Sequence, residues 1–130
     1  MTATTVTGFR ITPEGKGSVV ELKAGPDGSH LADLREAIDC RYVDVIRLDR
    51  RLDMWIDDEG LLVEDPKDNV IASLIAQLGF LRPIGPIKGT VVLTGGADDD
   101  GDIVSVDVAH AEGMFAAASV FVPQEATAGS

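Results

Sequence analysis

Leu52-Asp53-Met54-Trp55-Ile56-Asp57-Asp58-Glu59-Gly60-Leu61-Leu62-Val63 is the stretch that decides the fold. Leu52, Met54 and Ile56 alternate with Asp53, Trp55 and Asp57, the period of a strand with one face buried. Asp58-Glu59-Gly60 predicts a hairpin turn into Leu61-Leu62-Val63. A turn this short makes the pairing antiparallel, because parallel strands need a crossover of a dozen residues or more.

Upstream, Tyr42 to Leu48 reads as a further strand. Before it, Leu31, Leu34 and Ile38 recur at helical spacing, with Ser29 placed to cap and Asp33, Arg35, Glu36 and Asp39 on a solvated side. Ala24-Gly25-Pro26-Asp27-Gly28 breaks the chain ahead of that helix. Residues 4–23 predict an opening β-hairpin: Thr4 to Thr12 and Ser18 to Lys23 flank the loop Pro13-Glu14-Gly15-Lys16-Gly17.

Downstream, Asp68 or Asn69 caps a second helix with an apolar stripe of Val70, Ile71, Leu74, Ile75 and Leu78, and Gly79 stands where a C-terminal cap is expected. Arg82 to Pro86 leads into Thr90-Val91-Val92-Leu93-Thr94, apolar enough for a central strand. Gly95 to Gly101 is an acidic loop, and Asp102 to Val106 a short return strand or extended segment. Asp107 is placed to cap a last helix through about Ala118, weakened by Gly113. Pro123 to Ser130 reads as a flexible tail. The expectation is one α+β domain over residues 1–122, a mostly antiparallel sheet with two or three helices packed on it.

The 130 residues, 45% hydrophobic, suffice to bury a core without disulfides. The formal charge is −11, so direct nucleic-acid binding is disfavoured. All 11 basic residues lie at or before Lys88, against 15 acidic ones there, a net −4. From Gly89 onward no basic residue faces Asp98, Asp99, Asp100, Asp102, Asp107, Glu112 and Glu125, a net −7. This polarity suits a basic partner or a cation, although a solvated face that keeps the protein soluble explains it more simply. A lone Cys40 fits a reduced, cytoplasmic setting. Met1 to Phe9 lacks the pattern of a signal peptide, and Val108 to Val122 is too short and polar to cross a bilayer.

Several pieces in order carry a resemblance. They are Met54-Trp55-Ile56-Asp57-Asp58-Glu59-Gly60-Leu61, Asn69-Val70-Ile71-Ala72, Ile87-Lys88-Gly89-Thr90-Val91-Val92-Leu93-Thr94-Gly95 and the turn Asp100-Gly101. Over about residues 29–114 the chain resembles an uncharacterised domain family found in bacteria and in their phages and plasmids. The resemblance implies an accessory protein of a mobile element and offers no catalytic residues. It singles out Asn69 and Gly89, whose structural roles would be a helix cap and a site of close backbone approach.

Among chemical constellations, Asp98, Asp100, Asp102 and Asp107 offer oxygen ligands to a hard cation, but the register is not that of an EF-hand. Gly15-Lys16-Gly17-Ser18 lacks the earlier glycine and the following helix of a phosphate loop. One Cys and two His cannot furnish a structural zinc site, and Cys40 reads as a buried thiol rather than a nucleophile. His30 is expected to be a solvated first-turn residue. Trp55, with Asp53, Asp57 and Asp99, would form an interface for a basic protein partner if its face of the sheet is open. A second hypothesis is a small-ligand module, perhaps oligomeric, that sequesters a nucleotide or metabolite. There Gly95 and Gly96 would let the ligand approach Val91 to Leu93, and Arg47, Arg50, Arg51 and Lys88 would converge on an anion. No cofactor is expected, and an enzyme ranks last of the three classes.

Overall fold

The computed structural model describes residues 5–26, 28–57, 68–80, 87–97 and 102–121. The expected turn at Asp58-Glu59-Gly60, the strand Leu61-Leu62-Val63, the connection Arg82 to Pro86 and the tail all fall outside those residues.

Eight elements follow in order: β1 (Thr5–Ile11), β2 (Gly17–Lys23), α1 (Leu31–Ile38), β3 (Val43–Asp49), β4 (Leu52–Asp57), α2 (Val70–Phe80), β5 (Val91–Thr94) and α3 (Val108–Ser119). The strands make one sheet in the order β2-β1-β5-β4-β3, antiparallel at every step. This is the α+β domain expected, with three helices among the described residues.

The four-residue β5 lies at the centre because it can be buried on both faces, and all four of its residues are buried. Val91 and Leu93 join the core cluster that also holds Phe9, Ile11, Met54, Ile71, Ile75 and Ala111. Val92, one residue out of phase, joins the opposite cluster with Val6, Leu22, Leu34 and Ile38. The period of two therefore sorts one strand into two cores, α2 and α3 covering one face and α1 the other.

Between β3 and β4 the chain turns through Arg50-Arg51, where the Asp49 carboxylate accepts from the Arg51 N–H at 2.7 Å. A register shift between Arg47 and Asp49 marks a bulge beside this turn. Gly96 is required here, since a Cβ would lie 2.0 Å from the Arg50 carbonyl oxygen. Asp102 to Val106 is extended rather than a strand, with a single bridge between Gly95 and Val104. The segment is tied to β1 by Thr7 N–H to Ser105 Oγ and Val106 N–H to the Thr7 carbonyl, both 2.9 Å.

The helix ends follow the sequence in part. Asp107 caps α3, its carboxylate accepting from the His110 N–H at 3.2 Å, and Gly113 does not interrupt the helix. Asn69 caps α2 through Oδ1, which accepts from the Ala72 N–H at 3.1 Å. Gly79 is inside α2, not beyond it, because the helix runs on to Phe80. At α1 the cap position belongs to His30, which makes no side-chain cap bond. Ser29 instead accepts the Leu31 N–H at 3.1 Å. No helix is long and apolar enough to cross a membrane among the described residues.

Candidate functional site

A cleft of about 380 Å³ opens on the α1 face of the sheet, lined by Gly28, Ser29, His30, Leu31, Trp55, Asp102 and Ile103. Three separate pieces of chain build it. β4 contributes Trp55, placed beside Val92 of β5. The turn into α1 contributes Ser29 and His30, and the extended segment after the acidic loop contributes Asp102 and Ile103.

Trp55 is half-buried and packs against the Val6–Leu34–Val92 cluster. Its Nε1–H donates to Thr94 Oγ1 at 2.9 Å, which fixes the indole on the cleft wall. His30 is only 3% exposed, and its Nε2 has no hydrogen-bond partner. A buried polar nitrogen left unpaired costs about 1–3 kcal/mol, so such an atom calls for an explanation. The expectation of a solvated His30 is therefore corrected. The residue lines the same cleft as Trp55 and Asp102, a long-range arrangement that helical spacing cannot report.

The expected interface around Trp55 is divided by burial. Asp53 is 3% exposed, with Oδ1 unpartnered, so it is not part of an open carboxylate ring. It stands between Arg47 of β3 and the buried Thr94 of β5 in the strand register. Burial pushes its carboxyl above the usual aspartate range, the Arg47 guanidinium opposes the shift, and Asp49 adds to it. Asp57 is half-buried, and Asp99 lies outside the described residues.

The expected anion site does not assemble. Arg47, Arg50 and Arg51 are exposed around the β3–β4 turn. Lys88 precedes β5, whose far end, Thr94, is the one opposite Asp53 near that turn. Antiparallel pairing thus puts Lys88 at the other end of the sheet, where its Nζ is paired with Asp68 at 2.5 Å. Nor are Gly95 and Gly96 open to a ligand, because their Cα faces are packed on the backbone of Ser105 and Arg50.

Of the proposed cation ligands, Asp98 and Asp100 fall outside the described residues, Asp102 lines the cleft and Asp107 is committed to capping α3. No group of three or more metal-ligating side chains occurs among the described residues. Asn69 is 1% exposed and does more than cap α2: its Nδ2 donates to the carbonyls of Ile11 at 3.0 Å and Gly89 at 2.9 Å. Gly89 adopts φ +78° with nothing within 4 Å of an added Cβ. Its requirement is a left-handed turn, and the expected close approach is absent. Cys40 is half-buried, and its thiol is pushed up to about 11 by burial and then by the Asp57 carboxylate. His110 is exposed in the first turn of α3.

Comparison with curated proteins and with solved structures gives no match. A family model does match, over residues 6–116. The match takes in the opening hairpin β1–β2, which the resemblance over residues 29–114 leaves out, as befits a β1 that is paired directly to the central β5. On that coverage the chain belongs to the family described as a domain of unknown function, DUF3846.

Proposed function

We propose that this protein is a non-enzymatic accessory protein of a mobile element that acts, in the cytoplasm, by binding a protein partner with a basic surface. The observation that carries the reading is the cleft wall. A half-buried Trp55, held by Thr94, lines the same cleft as Asp102, which follows the acidic run Asp98-Asp99-Asp100 by one glycine in the sequence. An aromatic anchor beside carboxylates, in a chain of net charge −11, is what a basic surface would recognise. The mobile-element setting rests on the resemblance of the motifs quoted above. The non-enzymatic part is supported by the Cys40 thiol, which burial keeps protonated and so poorly nucleophilic at neutral pH.

The test is capture of the tagged full chain from its host's lysate, with identification of the bound protein and a salt titration of the purified complex. The expected partner has a basic surface, and its affinity falls about ten-fold or more between roughly 0.05 and 0.5 M salt. Binding that ignores salt, or a small molecule as the sole bound species, would overturn the reading.

A further inference from the structure

The sheet ends in two outer strands, β2 and β3, and the two edges are not alike. On β3 the Asp44 carboxylate accepts the Val45 N–H at 2.8 Å, and the register shift between Arg47 and Asp49 distorts the strand's end. A side chain on the ladder and a bulge both keep an edge from pairing again. β2 is open over most of its length. The Thr12 N–H donates to the Lys16 carbonyl at 2.9 Å, so in the β1–β2 register the even-numbered residues of β2 bond to β1. Gly17, Val19, Glu21 and Lys23 therefore turn their N–H and C=O groups outward. Asp33 Oδ2 accepts the Lys23 N–H at 2.7 Å. The outward groups of Gly17, Val19 and Glu21 have no partner among the described residues.

Charge says what fits this edge. Residues 13–23 hold Glu14, Lys16, Glu21 and Lys23, a net charge of zero in a chain of −11. A second copy can approach here without the repulsion that the chain as a whole sets up. A twofold axis at Val19 sets Val19 opposite Val19, Gly17 opposite Glu21 and Ser18 opposite Val20. Every open N–H and C=O of the three outward residues is then paired, and Val19, 48% exposed, packs on its own copy. An axis at Val20 would set Gly17 opposite Lys23, whose N–H Asp33 already holds. An axis at Glu21 would bring two carboxylates face to face.

The same register adds a contact between side chains. Lys16 of one copy comes opposite Leu22 of the other, a residue of the α1 face. There a groove of about 430 Å³ between β2 and α1 is lined by Glu21, Leu22, Lys23, Asp33, Glu36 and Ala37. Lys16 and Glu36 are both exposed, and neither has an ion-pair partner among the described residues.

We propose that β2 is the interface of a homodimer. Two copies pair β2 to β2, antiparallel about a twofold axis at Val19, into one continuous sheet, and Lys16 of each copy sits beside Glu36 of the other. This goes beyond the protein-binding reading above and does not depend on it.

Sedimentation equilibrium of the full chain tests it, from about 1 to 500 µM in about 0.15 M salt. The mass should rise from one chain towards two, because so short an interface buries less than the about 1,200 Å² of a tight complex. Val19→Lys sets two ammonium groups on the axis and should weaken the dimer about ten-fold or more, with the thermal midpoint of the dilute monomer unchanged. Lys16→Glu and Glu36→Lys should each weaken it by about ten-fold. Mixed in equal amounts, those two variants should dimerise with each other better than either does alone, since the mixed pair restores opposite charges at both contacts. No contact within one chain can produce that result. In the unaltered chain the amides of Gly17, Val19 and Glu21 should gain protection from hydrogen exchange as concentration rises.

A chain that stays monomeric at the highest concentration, or a dimer that Val19→Lys leaves intact, would overturn the proposal. So would a mixture no more dimeric than its components, or protection that rises along β3 instead of β2.

Discussion

Asp53 is a carboxylate placed where a strand residue faces the interior, 3% exposed and with one oxygen unpartnered. Because burial raises its pKa, the folded chain holds that proton more tightly than the unfolded chain does. The native state is therefore unpenalised at pH values below the ordinary aspartate range, and it loses stability as pH rises through the raised value. Asp53→Asn removes the charge at nearly constant shape. It should stabilise the protein by about 1 kcal/mol at pH 7, with the gain disappearing near pH 4, as urea titrations at the two pH values would read. A gain that persists in acid would mean that charge is not the cause. Cys40 follows the same physics with a different readout. A thiol at about 11 should react with a disulfide reagent at pH 8 about ten-fold more slowly than an ordinary thiol, the roughly hundred-fold loss of thiolate being partly offset by its greater nucleophilicity, until denaturant exposes it.

At the scale of elements, Asn69 does the work of a clasp. It joins α2 to the end of β1 and to the turn before β5 through three side-chain bonds, to Ile11, Gly89 and Ala72. Its neighbour Ser73 extends the clasp, donating from Oγ to the Asn69 carbonyl and accepting the Ile87 N–H, each at 2.9 Å. Asn69→Ala should cost about 2–4 kcal/mol in equilibrium unfolding, far more than the roughly 1 kcal/mol of a lost cap alone. Asn69→Asp, which keeps the acceptor and loses both donors, should recover only a small part. At the end of α1, Asp39 sits in the left-handed region with φ 64°. Asp39→Gly should raise stability by about 0.5–1 kcal/mol in the same assay, because glycine takes that conformation without strain. The cap at Asn69 and the strand β4 were readable because both depend on spacing within a few residues. The Nδ2 bonds to Ile11 and Gly89 were not, since they span 58 and 20 residues of chain.

The whole molecule repeats that division. Short-range alternation in Leu52 to Asp57 and the apolar run of β5 were enough for an antiparallel α+β sheet, but not for the insertion of β5 between β1 and β4. That insertion separates Lys88 from the three arginines and brings His30, Trp55 and Asp102 together from distant parts of the chain. The same topology disperses charge in a chain carrying 22 acidic and 11 basic residues. With so few cations, repulsion among carboxylates outweighs exposed ion pairs such as Lys88–Asp68, which contribute about 0–1 kcal/mol each. Unfolding moves the carboxylates apart, so screening should favour the compact state. The thermal midpoint is then expected to rise by several degrees between about 10 and 500 mM sodium chloride, as the screening length falls from roughly 30 Å to a few ångströms. Most of the rise should come at the low-salt end, where the screening length still spans the molecule; a general salting-out effect would instead grow steadily and differ between chloride and sulfate. A midpoint that falls with added chloride would show that attractive pairs, not the net charge, dominate the electrostatics of the fold.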